Sequence, residues 1–427
     1  MGRRRSLTLV FGSAFALMFA MISSSSLAET LAIACGSIGN EQKICQSLSD
    51  EWGKKTGNTV KVIPMPPSDS DRLALYQQLF GARSPDIDLF EIDTIWPGIL
   101  GSDFIDLKPY SHGAEAADFP STIENDTRDG KLVALPLYVD AGLLYYRRDL
   151  LDKYHAAVPR TWSEMTATAK RIEDAERAAG DKAMWGYVFQ GKAYEGLTCN
   201  ALEWISSNGG GTFIDPKGEI TVDNPKAAGA LDQAAAWIRT IAPEGVLNYT
   251  EEESRGVFQS GHAVFMRNWP YALALANSPD SAVRGKVGVA PLPQGEGDGA
   301  HHAAALGGWQ IAVSRFSRHP KLAADLAVFL AGREGVKVWA LEGGYTPAIP
   351  SLYQDPDVKR ANPNFSLLLP IFQDAVARPS AVTGSKYDGV SNAIWNAVTQ
   401  VITGDEHGAE ALASLKRQLH RVERGGW

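Results

Sequence analysis

Between Thr30 and Asp93 the chain reads strand, helix, strand, helix, strand, and this order limits the fold more than any other feature. Thr30–Ala34 alternates as a strand, and Gly36–Asn40 is a Gly/Ser/Asn turn. Asn40 is a candidate N-cap, and Glu41 opens a helix reaching about Lys55. Thr59–Met65 reads as a second strand and Asp71–Gly81 as an amphipathic helix with Arg72 at its start. Ile87–Ile92 (IDLFEI) is a third strand, followed by Asp93. Strands joined by single helices run parallel, because each helix carries the chain back to the same end of the sheet. Ligands of such sheets collect at the carboxyl ends of the strands, where Asp93 falls. The turn ahead of Glu41 offers a pocket of backbone N–H groups. Glu41 either faces that pocket or complements the helix dipole.

A second informative stretch is Ala134–Tyr154, ALPLYVDAGLLYYRRDLLDKY. Tyr138 and Asp140 interrupt an apolar run at period 2, so they share one face of a strand. Leu143–Tyr146 is then a continuous apolar run of the buried kind, and Arg147-Arg148-Asp149 opens a helix. A buried strand entered through a phenol and a carboxylate on one side predicts a crossover between two lobes, with polar groups facing a cleft.

The chain has 427 residues, enough for two domains. Its first 28 residues read as an export leader, not as fold. Arg3-Arg4-Arg5 are cationic, Leu7–Ile22 is apolar, and Ser26-Leu27-Ala28 predicts cleavage after Ala28. Loss of the three arginines takes the formal charge from −8 to −11. That sign disfavours nucleic acid and anionic membrane as partners. Export places three cysteines in an oxidising compartment. Cys35 ends the first strand and Cys45 lies in the first helix, a short loop to close, and they are the expected disulfide. Cys199 is left over and is expected to be buried.

Further along, Val158–Trp162 turns into a helix over Ser163–Ala179, and Trp185–Phe189 is a strand. Gly191–Ser207 and Asn224–Ile241 read as helices. Gly209-Gly210-Gly211 lacks the Lys-Ser/Thr of a phosphate loop and reads as a turn. After the helix Glu251–Gly261, the strand Ala263–Met266 ends in Arg267-Asn268-Trp269-Pro270-Tyr271, which projects two rings from a rigid turn. Val287–Ala290 is a strand. Leu306-Gly307-Gly308-Trp309 opens another, with glycines that let a ligand approach the backbone. Gly343-Gly344-Tyr345-Thr346-Pro347 is a hinge-like break in an otherwise helical C-terminal region.

No Gly-x-Ser-x-Gly, His-Glu-x-x-His or Cys-x-x-Cys motif occurs, and His301-His302 lacks a third ligand nearby. No metal and no cofactor is expected. Glu41, Asp93 and Asp140 leave open an exported glycoside hydrolase working with a carboxylate pair. A receptor for an oligopeptide or polyamine is a weaker alternative. The recurring pattern is instead carboxylates (Glu41, Asp93, Asp140), guanidiniums (Arg72, Arg378) and rings (Tyr138, Trp269, Tyr271, Trp309) at element ends. Sugars fit this mixture: their hydroxyls pair with planar charged groups, and their C–H faces lie on aromatic rings.

At these residues the sequence resembles the extracytoplasmic solute-binding proteins of sugar ABC transporters, in particular the trehalose/maltose-binding branch. ALPLYVDAGLLYYRRDL, Thr161-Trp162, AVFMRNWPY, VGVAPLP and LGGW carry the resemblance, in that order. It implies an α/β fold, the two-lobed type II-like periplasmic binding protein fold, each lobe a mixed, mostly parallel sheet flanked by helices, with a hinge. The lobe boundaries it suggests are 29–137 with 285–342, and 138–284 with 343–427. It implies sugar contacts at Glu41, Arg72, Asp93, Tyr138, Asp140, Trp269, Tyr271, Gly307, Gly308, Trp309 and Arg378. It further implies a monomer in the periplasm that binds a disaccharide, trehalose before maltose or sucrose. That monomer would hand its sugar to the membrane permease of an ABC transporter without catalysing any reaction.

Overall fold

The computed structural model describes Gly2 and residues 28–427. The predicted leader lies outside the described residues except for Gly2 and Ala28. No helix among the described residues is long and apolar enough to cross a membrane.

Twelve strands are described. In chain order they are β1 (Thr30–Ala34), β2 (Thr59–Ile63), β3 (Leu89–Asp93), β4 (Thr127–Arg128), β5 (Lys131–Leu132), β6 (Leu135–Ala141), β7 (Leu143–Arg147), β8 (Trp185–Val188), β9 (Ala263–Asn268), β10 (Val287–Pro291), β11 (Leu306–Val313) and β12 (Thr346–Pro347). They form a six-stranded sheet, β12-β6-β11-β3-β1-β2, and a four-stranded sheet, β10-β7-β9-β8, while β4 and β5 make a small hairpin. Each large sheet is the centre of one lobe.

The expected parallel pairing holds for the first three strands: β1 pairs parallel with both β2 and β3. It does not extend to the whole sheet. β11 runs antiparallel to β3 and β6, and β12 antiparallel to β6. In the second sheet only β8–β9 is parallel. Antiparallel ladders therefore outnumber parallel ones. The reason is that β6, β11 and β12 do not follow one another through single crossover helices.

Strand membership also departs from the expected boundaries. β6 stays in the first sheet to Ala141, so the chain crosses at Gly142 and not between 137 and 138. A Cβ at Gly142 would lie 2.0 Å from Glu203 Oε1 and 2.8 Å from Arg267 Nη2, so only glycine passes here. β10 pairs with β7, which gives 285–291 to the second lobe. β12 pairs with β6, which gives 346–347 to the first. An apolar run names a strand but not its neighbour, and the neighbour fixes the lobe. The second and third crossings are tied together, Leu306 N–H bonding Val376 O and Val376 N–H bonding Ala304 O.

Helix ends follow local chemistry. Thr161 and Glu164 form a capping box that opens Trp162–Ala178, and Asn224 caps Pro225–Trp237 through its side chain. Asn40 does not cap Glu41–Thr56; its amide donates instead to Glu342 O at 3.2 Å. Most of the chain's 11 tryptophans are core. Trp52, Trp96, Trp162, Trp204, Trp237 and Trp339 are fully buried. Trp237 alone packs within 5.2–6.4 Å of the rings of Trp162, Tyr187, Phe189 and Trp204. Each such pair adds roughly 0.5–1.5 kcal/mol beyond area burial. Cys35 and Cys45 are bridged, with their Cα atoms 6.4 Å apart, and Cys199 is buried and free.

Candidate functional site

The carboxyl ends of β1, β3 and β6 meet the start of β11 at the crossings, and the end of β9 faces them from the other lobe. The cleft between is walled by Glu41, Asp69, Asp93, Asp140, Glu251, Trp269, Tyr271, Gly307, Gly308, Trp309, Tyr345 and Arg378, among others. Nine of the eleven residues expected at the site therefore line one cleft. Arg72 and Tyr138 sit one layer behind it.

In the first lobe, Glu41 ties up the turn that precedes it. Its Oε2 accepts the N–H groups of Ser37 and Ile38 at 2.9 and 3.0 Å. Its Oε1 accepts from Tyr138 Oη at 2.6 Å. The backbone N–H pocket is thus filled by the protein's own carboxylate, and Tyr138 supports it from below. Tyr138 is fully buried, and burial and the nearby Glu41 push its phenol well above the usual value. Arg72 is equally buried, 3.4 Å from Glu91 Oε2, and its guanidinium lies 4.1 Å from the centroid of the Trp309 ring. It backs the ring, leaving the indole to face the cleft.

Asp93 accepts from Ile95 N–H at 2.9 Å and from Arg378 Nη2 at 2.8 Å. Arg378 also reaches Glu195 at 2.9 Å, which in turn accepts from Tyr387 and Ser391 at 2.6 Å each. Arg378 therefore joins a strand end of the first lobe to a helix start of the second. Gly307 pairs with Asp140 and Gly308 with Val139 in the β11–β6 ladder. A Cβ at Gly307 would sit 3.1 Å from the Trp269 ring, and Gly308 holds φ +136 with its Cβ site 2.7 Å from Tyr138 O. Backbone approach and positive φ require glycine at 308, while a side chain at 307 would press on the Trp269 ring.

In the second lobe, Trp269 lies with its ring centroid 3.9 Å from the Arg267 guanidinium, which is paired with Glu203. Its Nε1–H donates to Glu251 Oε1 at 3.2 Å, and Tyr194 Oη holds the other oxygen at 2.7 Å. Tyr271 donates to Glu252 at 2.7 Å and stacks on Tyr345 of the first lobe, centroids 6.1 Å apart at 13°.

Asp69, Glu251 and Tyr345 line the cleft without standing out in the sequence. Asp69 follows the N-cap Ser68, and Glu251 begins a helix whose Thr250 and Glu253 form a capping box. Their helix-start position masks the cleft role. Tyr345 lies in the glycine-flanked break, where the sequence pattern speaks only of a hinge.

Five carboxyls share this cleft with one lining guanidinium, and that guanidinium is already paired. Burial raises Asp69 well above the usual carboxylate range, aided by Glu251 and Asp93. Burial raises Asp140 likewise, aided by Glu41 and Asp93. Glu251 is raised by burial as well. A raised carboxyl takes up a proton more readily, and a protonated carboxyl both donates and accepts. The cleft is rich in hydrogen-bonding groups, and burial works against charge on Asp69, Asp140 and Glu251.

The model of the "Bacterial extracellular solute-binding protein" family matches residues 39–337. The chain belongs to that family. A "probable ABC transporter-binding protein" of Deinococcus radiodurans is 49% identical over 406 residues, covering 95% of this chain and 96% of that protein. The maltose-bound structure of T. maritima MalE3 is 36% identical with a TM-score of 0.87, covering 92% of this chain and all of that one. A maltodextrin-binding protein of Bacillus subtilis is 25% identical, covering 65% of this chain and 64% of that protein. The two-lobed fold is thus that of an extracellular solute-binding protein, and the chain is a binding protein and not an enzyme. The exported-hydrolase alternative falls with this result. The family places the chain's work outside the cytoplasm.

Proposed function

We propose that this protein is the sugar-binding component of an ABC transporter, working as a monomer in the periplasm after removal of an N-terminal leader. It takes an α-linked glucose disaccharide, trehalose first and maltose or sucrose next, and delivers it to the cognate membrane permease. The observation that carries this reading is the presence of two indoles, Trp309 of the first lobe and Trp269 of the second, among Asp69, Asp93, Asp140 and Glu251 in one cleft. Rings cover the C–H faces of a pyranose, and the carboxyls pair with its hydroxyls. The likeness to the maltose-bound MalE3 over nearly the whole chain supports the same ligand class. Arg378 and the Tyr271–Tyr345 stack span the two lobes, so closure brings the site together. A sugar that touches both lobes favours the closed form by those contacts, which is the signal a permease reads.

Isothermal titration of residues 29–427 with trehalose, maltose, sucrose and glucose tests the reading. A micromolar Kd, about −8 kcal/mol, for one disaccharide without heat of turnover is expected. Absence of binding to all four overturns it.

A further inference from the structure

We propose that the Cys35–Cys45 bridge is a positioning device for sugar binding, holding the turn 36–40 as a seat on which the second lobe lands. This inference rests on the sugar-binding reading above and adds two residues that do not line the cleft. Cys35 directly follows β1, Cys45 lies early in the helix Glu41–Thr56, and both are buried. Between them lie only the turn and the start of that helix. Inward, Gly36 N–H reaches Glu91 Oε2 at 2.8 Å, and the N–H groups of Ser37 and Ile38 reach Glu41. Outward, Ile38 and Glu41 line the cleft, and Gly39 meets the second lobe. Gly39 holds φ +54, and a Cβ there would lie 2.7 Å from the Tyr271 ring and 3.1 Å from Tyr345 Oη. Tyr345 Oη donates to Ile38 O at 3.3 Å and its ring stacks on Tyr271, so the turn and the two rings form one contact across the lobes.

A second seat lies beside the first and leans on the same bridged segment. A Cβ at Gly344 would lie 3.0 Å from Ala274 Cβ of the second lobe. The break that carries Gly344 is tied to the segment around the bridge. Asn40 donates to Glu342 O at 3.2 Å, and Ile44, next to Cys45, comes within 2.8 Å of a Cβ built at Gly343. At both seats the first lobe offers backbone without a side chain, and the second lobe comes too close for even a methyl group. Such a contact has no slack, because a small displacement of the turn either opens it or makes it clash. The inward hydrogen bonds hold residues 36–38, whereas the bridge fastens the chain on either side of Gly39. The covalent tie therefore fixes where the landing surface stands.

Titration of residues 29–427 with trehalose, maltose and sucrose tests this in four chains. They are the wild type, Cys35→Ala with Cys45→Ala, Gly39→Ala, and the three substitutions together, each shown by circular dichroism to be folded at the titration temperature. Loss of the bridge is expected to weaken the sugar that the wild type binds by about tenfold, the effect of a turn that stands in place in about a tenth of the molecules. Gly39→Ala, whose methyl group meets the Tyr271 ring, is expected to weaken it at least as much. The three substitutions together are expected to add little to the larger single loss, because both changes act on one seat. A bridge that only stabilised the fold would leave the affinity of the folded chain unchanged. A folded bridge-free chain that binds within about twofold of wild type overturns the proposal. So do a bridge-free chain that does not fold, an unchanged affinity in Gly39→Ala, and two losses that multiply in full. Those outcomes leave the sugar reading standing, whereas a wild type that binds none of the three sugars overturns that reading and the bridge's part in it.

Discussion

Trp309 in the first lobe and Trp269 in the second each cover a buried guanidinium, and each guanidinium has a buried carboxylate beside it. The order of parts is the same, but the fastening differs. Arg267 meets Glu203 as a fork, Nε to Oε2 at 2.9 Å and Nη2 to Oε1 at 2.5 Å. Its Nη1 reaches Gln190 at 3.2 Å, and Glu203 also accepts Ala305 N–H at 3.1 Å. Arg72 meets Glu91 through one nitrogen at 3.4 Å. Glu91 Oε1 has no partner, and burial with the nearby Glu41 pushes its carboxyl up to about 8. A fork with a fixed plane holds both charges and sets the ring above it. A single long contact leaves the carboxyl free to take a proton. The second lobe thus carries a locked platform for its indole, and the first lobe a more loosely fastened one whose carboxyl is poised to take a proton.

The sharpest way to break this comparison is Glu203→Ala. It leaves Arg267 charged and unpaired where neither side chain is exposed, which costs about 3–5 kcal/mol. Chemical denaturation should show that loss, and a cost below about 1 kcal/mol would mean the fork is not what holds the second lobe. Next comes the bridge that only the first lobe has. Cys35→Ser opens a loop of sequence separation 10 beside Glu41 and should cost about 2–4 kcal/mol of unfolding free energy. A matching loss from Cys199→Ser in the second lobe would void the contrast. For sugar binding, Trp269→Ala and Trp309→Ala should each lose more than ~1.5 kcal/mol by titration, as anchoring rings do. Unchanged affinity in either removes that lobe's ring from the site.

Much of this architecture is legible in the amino-acid order. β1, β3 and β11 fall within a few residues of where alternation and glycine placement put them. The cleft assembles seven of the nine residues expected from element ends, because a polar residue at the end of a buried strand has few other places to go. Arg72 and Tyr138 show the limit of that logic. Their chemistry marks them as polar and important, but which layer they occupy depends on Trp309 and Glu41, which come from distant parts of the chain. Lobe membership is illegible for a similar reason. VGVAPLP and Thr346-Pro347 have no local feature that names their partner strand, and pairing with β7 or β6 decides their lobe. Asp69 and Glu251 are hidden by helix-start chemistry that gives each an ordinary explanation.

The smallest expected effect decides whether the first-lobe stack is proton-responsive. Glu91 has a folded value of about 8 against an ordinary value of 4.5, so between those values the folded chain holds a proton that the unfolded chain has lost. Stability then falls as pH rises through that window. The contribution is fully present below 4.5, is lost by about 8, and is flat beyond. Glu91→Gln fixes the side chain in a neutral form of the same shape, and its amide oxygen can still accept Gly36 N–H, which reaches Oε2 at 2.8 Å. At about pH 5 the variant should lie within about 1 kcal/mol of wild type, the scale of a single exchanged hydrogen bond. Above about pH 8 it should be the more stable of the two, so the curves of denaturant midpoint against pH should cross. A variant destabilised by several kcal/mol at every pH would show Glu91 to be a permanent anion paired with Arg72. The two lobes would then differ in bond geometry alone, and the first would have no proton response to lose.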